Sequence, residues 1–130
     1  MNIVEMIYNN TFLKELFPEG LESAVLIGQI SFDLNKKISL NIHTKQKPMK
    51  EIKKWGLWGK DYDVVVIEIY GIACNTTTLN NWDNVAYGVL SISEDSDKFI
   101  LSHSGDSWDI KIQSQVFCFE RCHTYLDGSY

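Results

Sequence analysis

A chain of 130 residues that is 45% hydrophobic, 12% aromatic and 22% charged is too apolar for a disordered segment and long enough for one core, which predicts a single domain over 1–130. No run of 18 apolar residues and no basic-then-apolar leader occurs, so neither membrane spanning nor secretion is expected and the default address is the cytoplasm. A net charge of -5 with little arginine argues against nucleic acid as the main partner, because phosphate backbones are held by a net basic face.

In chain order, the first predicted element is a short helix capped by Asn10 and running to Leu16–Phe17, where Pro18 and Gly20 stop it; one helix, or two, near the N-terminus is the expected total. Residues 24–34 alternate Ala24, Leu26, Gly28, Ile30, Phe32 and Leu34 on one face, although Val25 and Ile27 make the first half apolar on both. Asn35-Lys36-Lys37 reads as a turn and 38–43 as the returning strand of a hairpin. Residues 62–70 contain Val64-Val65-Val66-Ile67, a β-branched run that predicts a central strand buried on both faces. Further strands are expected near 85–93, 98–103, 107–113 and 115–123, joined by turn-like connectors at 94–97 and 104–106. The fold class that follows is mainly β, β-rich α+β: an antiparallel meander forming a sandwich or a strongly curved sheet.

Charge is unevenly distributed along these elements. Residues 1–35 carry five acids against Lys14, residues 36–60 carry eight lysines against Glu51 alone, and residues 61–130 carry eleven acids against Lys98, Lys111 and Arg121. A dipolar surface is the expectation.

The reactive residue types do not assemble into a recognisable reaction centre. Cys118 and Cys122 lie four apart in one predicted strand, roughly 13 Å from each other at the strand rise, too far for a disulfide. The same spacing, with His123 beside it, makes no chelating knuckle, so no metal and no cofactor is expected. His103-Ser104-Gly105-Asp106-Ser107 superficially resembles a nucleophile signature, but Trp108 stands where a glycine would free the backbone for an oxyanion hole, and a β-turn explains the stretch better. Asp95-Ser96-Asp97 begins like a calcium loop and fails at Phe99. No catalytic residue is assigned, and no enzymatic activity is expected.

Binding is the remaining class, and the acids and aromatics of the second half carry it. Trp82-Asp83-Asn84, Glu94-Asp95-Ser96-Asp97 and Asp106-Ser107-Trp108-Asp109 place carboxylates at strand ends or on outward faces, two of them beside a tryptophan. Trp58, Asp83, Glu94, Asp95, Asp97, Asp106 and Asp109 are therefore the candidate partner-binding residues. Trp82 and Trp108 are weighed against a plain core role.

Lys53-Lys54-Trp55, a glycine-containing spacer with Gly56 and Gly59, then Tyr62-Asp63-Val64-Val65-Val66-Ile67-Glu68-Ile69-Tyr70-Gly71-Ile72, followed by Asn80-Asn81-Trp82-Asp83-Asn84 and Tyr125, resembles the bacterial immunity protein 50 family over about residues 21–126. Trp58 is an additional tryptophan in the spacer, and Asp63 stands where asparagine is expected. The resemblance implies a small cytoplasmic antidote of a polymorphic-toxin or contact-dependent inhibition system, whose partner is the C-terminal domain of a cognate toxin. It carries over no catalytic residue. Joined to the charge, it predicts stoichiometric blocking of a basic, nuclease-type active site by an acidic face. The alternatives are a ligand-binding domain or enzyme with a pocket lined by Trp55, Trp58 and Tyr62, and a homodimer formed by edge-strand pairing.

Overall fold

A computed structural model describes residues 2–128. They form two four-stranded antiparallel sheets packed as a sandwich, with two short helices at the N-terminus, as the mainly β reading expects. Sheet 1 has the order β1 (Val25–Phe32), β2 (Ile38–Thr44), β3 (Val64–Ile72), β8 (Val116–Tyr125). Sheet 2 has the order β4 (Thr76–Asn80), β7 (Asp109–Ser114), β6 (Lys98–Ser104), β5 (Val89–Asp95). Two three-strand meanders, β1 to β3 and β5 to β7, are thus each completed by one further strand: β8, from the end of the chain, beside β3, and β4, which precedes β5 in sequence, beside β7. No hydrophobic alternation marks β4, because Thr76-Thr77-Thr78-Leu79-Asn80 is short and carries one large apolar side chain.

The helices are α1 (Ile3–Met6) and α2 (Thr11–Leu16). Asn10 precedes α2 as expected but does not cap it: its amide instead donates to the carbonyls of Val4 at 2.8 Å and Glu5 at 3.4 Å, using up the side chain on the open end of α1. Beyond α1, Tyr8 bonds in parallel to Phe117 and Phe119, so this segment shields part of the β8 edge.

The core follows from strand alternation. Ile38, Leu40 and Ile42 of β2, Val65, Ile67 and Ile69 of β3, Leu101 of β6, Ile110 and Ile112 of β7 and Phe117 of β8 are all buried in one cluster. Each such side chain removed from water contributes about 1.5–3 kcal/mol. β3 is central, and Val64 and Val66 are buried on its opposite face too, as the unbroken β-branched run predicts.

β1 departs from simple alternation. Its register slips between Ile27 and Gln29, so Gly28 is the extra residue of a bulge and the core-facing set changes from Val25 and Ile27 to Ile30 and Phe32. The double-sided apolar run at 24–34 was the trace of this switch. An equivalent slip between Glu68 and Ile69 in the β3–β8 ladder leaves Glu120 extra on β8. Consequently Cys118 and Cys122 point to opposite faces of that strand; all three cysteines are free thiols.

The sheets are tied at one end of β1, where Val25 exchanges backbone hydrogen bonds with Gly88, just before β5, and accepts a third from His103 of β6 at 2.7 Å. At its other end β1 approaches β4, with Phe32, Leu79 and Trp82 lining a cavity between them. β1 therefore runs across the strands of sheet 2 and leaves an open side between the β1 and β4 edges.

Candidate functional site

The open side exposes a compact apolar group. Ile30 and Phe32 from β1, Leu79 from β4 and Trp82 line a cavity of about 180 Å³. Phe32 is 61% exposed, Trp82 42% and Leu79 40%, too much for core residues. Leu79 and Phe32 face inward on their strands, but both strands are edges and nothing in the described residues covers the far side. Trp82 is held in place by its preceding turn. Asn81 sits in the left-handed region (φ 57°) and its amide donates to the Ser107 carbonyl at 2.9 Å, which pins the 3-10 turn Trp82–Asn84 beside the β6–β7 connection.

Acidic groups gather at this end. The Asn80 amide reaches both carboxylate oxygens of Asp109, at 3.1 and 3.2 Å, while Asp83 lies within the 3-10 turn and Asp106 in the neighbouring connection. Asp83, Asp106 and Asp109 are thus brought together with Trp82. Glu94, Asp95 and Asp97 are not: they occupy the β5–β6 hairpin tip, where Asp95 pairs with Lys98, and the register of β6 puts that tip roughly 20 Å from Ser104 and Asp109. The acids named from sequence form two poles of sheet 2 and no single face.

Trp58 is apart from both poles. It lies in the loop before β3, edge-on to Tyr62 at 5.3 Å between ring centroids, and Trp55 packs edge-on to Tyr62 at 5.9 Å and to Phe12 at 6.1 Å. Asp61 holds this loop by accepting from the Leu57 N–H at 2.7 Å. The adjoining cavity of about 290 Å³ is lined by Lys47, Lys50, Trp58 and Tyr62 among others, and Lys50 is already paired with Glu15 at 3.0 Å. Lys53 and Lys54 lie in a 3-10 turn ahead of β3 and not along a sheet edge.

A second organised surface, missed from sequence, is the outer face of sheet 1. The registers align Gln29, Asn41, Glu68 and Arg121 in one row across all four strands, flanked by the Gly28 and Glu120 bulges. Asn41 donates to Gln29 at 3.2 Å, Arg121 to Glu68 at 2.9 Å, and His123 lies 3.2 Å from the same Glu68 oxygen. The hydrogen bond to Glu68 raises the Arg121 pKa further. In the adjacent row His43 bonds the Tyr125 hydroxyl at 2.9 Å; burial, then the nearby His123, lowers the His43 pKa. Burial, then Tyr125, pushes the Tyr87 hydroxyl up to about 12. Only polar residues at odd spacing around two bulges mark this row in the sequence, and periodicity does not see across bulges.

His103 and Trp108, singled out with the serine-containing turn, are interior. With the Val25 carbonyl accepting from Nε2, His103 must present Nδ1 as acceptor, and Trp108 donates to it at 3.3 Å. Both ring nitrogens are occupied, which leaves neither for Ser104 or Ser107. Burial lowers the His103 pKa and pushes the Cys122 thiol up to about 12. Among the described residues, no group of three or more His, Cys, Asp and Glu side chains is placed to hold a metal ion, and no helix is long and apolar enough to cross a membrane. Comparison with protein-family models, with curated proteins and with solved structures finds no match to this chain.

Proposed function

We propose that this chain is an immunity protein of the immunity protein 50 type, which binds the toxic domain encoded beside it and blocks it stoichiometrically, without turnover and without a cofactor. The observation that carries the reading is the exposed Phe32–Leu79–Trp82 group beside Asp83, Asp106 and Asp109. A tryptophan anchor within an apolar patch, with carboxylates at one end, is the composition of a hot spot for a basic protein. Negative charge speeds the encounter with a cationic nuclease-type cleft, and burial of the anchors then slows dissociation. The resemblance over about residues 21–126 supports the same reading.

Co-expression tests it. The C-terminal domain of the protein encoded immediately upstream should arrest growth alone and spare cells that also make this chain. Arrest that persists in the presence of well-folded protein overturns the reading. The cavity by Trp58 and Tyr62 favours a second reading, a small-ligand site, and native mass spectrometry of the purified chain should then reveal a retained small molecule.

A further inference from the structure

The open side of the sandwich also constrains what can bind there. β4 pairs with β7 on one side, and no described strand lies on its other side, while the β1 edge faces it across the Ile30–Phe32–Leu79–Trp82 cavity. We infer that an extended strand of the partner, alternating apolar and basic side chains, adds to sheet 2 along β4.

The geometry dictates the alternation. Side chains of an added strand point in turn to the two faces of the sheet. Those on the inner face would land on Ile30, Phe32, Leu79 and Trp82 and bury them. Those on the outer face would stand beside Thr76, Thr78 and Asn80, next to the Asp109 carboxylate that Asn80 holds, with Asp83 beyond the strand end. Lys111, across from Thr78 on that face, is the local opposing charge; in the β1–β2 turn Asp33 and Lys36 roughly cancel, and Lys37 is drawn away over the Tyr70 ring of β3, 4.4 Å from its centroid. Carboxylates remain in excess, so the matching strand is basic. A second copy of this chain is a poor occupant: its own β4, Thr-Thr-Thr-Leu-Asn, supplies one large apolar side chain and no cation. This inference rests on the protein-binding reading and specifies the kind of segment bound.

A heptapeptide alternating valine with lysine is a direct probe, with its glutamate-for-lysine counterpart as control. Hydrogen exchange of the full chain should slow at residues 76–80 with the lysine peptide and remain unchanged with the glutamate peptide. Trp82→Ala and, independently, Phe32→Ser should each weaken the effect about tenfold. No slowing at 76–80, equal slowing by both peptides, or slowing that appears without peptide as protein concentration rises overturns the inference, the last outcome in favour of self-pairing. Growth protection in co-expression does not depend on this result: peptide failure with rescue refutes strand addition alone, and peptide binding without rescue refutes the immunity reading alone.

Discussion

The Val25 carbonyl on β1 accepts from His103 Nε2 on β6 at 2.7 Å while also accepting from the Gly88 N–H at 2.8 Å, so one backbone oxygen uses both lone pairs to join the two sheets. Replacing His103 with Phe removes one donor and leaves the buried Trp108 N–H without its acceptor. We expect a loss of about 3 kcal/mol, read as a lower urea midpoint with an unchanged slope.

The same histidine sets a pH dependence. Burial lowers its pKa in the folded chain, so below about pH 6.5 the unfolded chain binds a proton that the folded chain resists. Its contribution to stability is full above about pH 6.5 and falls as the pH drops toward the folded value. His43 is shifted in the same direction. Thermal melts from pH 7.5 to 5 should therefore show a falling midpoint, and His103→Phe should flatten that fall without abolishing it.

Gly28 is required by close approach. A Cβ there would lie 2.6 Å from His43 Nε2, and His43 is held in place by Tyr125. Gly28→Val should displace the imidazole, break its bond to the Tyr125 hydroxyl and cost about 1–3 kcal/mol. The His43 ring resonances in NMR spectra should shift even where the fold persists.

Asp63 is buried at the start of β3 and accepts from the N–H groups of Asp127 at 2.6 Å and Gly128 at 3.0 Å, one on each carboxylate oxygen. The asparagine expected here from the family resemblance has one acceptor oxygen. Asp63→Asn should cost about 1–2 kcal/mol and speed hydrogen exchange at one of those two amides.

The two acidic poles can be separated experimentally. Asp83→Lys with Asp106→Lys should slow association with the proposed partner, the toxic domain encoded upstream, at least about tenfold at low salt, with the difference shrinking as salt rises. Asp95→Lys with Asp97→Lys, at the hairpin tip, should leave affinity within about twofold. Equal effects at both poles would point to a footprint wider than the open side.

The β-branched run 64–67 announced the central strand because its residues are apolar whichever face they take, and the β1–β2 hairpin was legible from its turn. The Trp82–Asp83 segment was likewise visible as an acidic aromatic cluster. Phe32 on β1 and the Asp106–Asp109 connection come from two distant parts of the chain, and no local pattern joins them to Leu79 and Trp82. Glu94, Asp95 and Asp97 have the same composition, yet the antiparallel register of β6 carries them to the opposite end of the sheet.

By itself the sequence determined the antiparallel β architecture, its central strand and the excess of carboxylates in its second half, because alternation, turn residues and charge are local properties. The tertiary structure decided which tryptophans are exposed and which are core, which acids share a surface, and that β1 and β4 leave an edge open between them. Those outcomes depend on two one-residue bulges and on strand pairings spanning dozens of residues: a bulge reverses which side chains face inward at almost no compositional cost, and pairing energy resides in contacts between segments that carry no mark of one another.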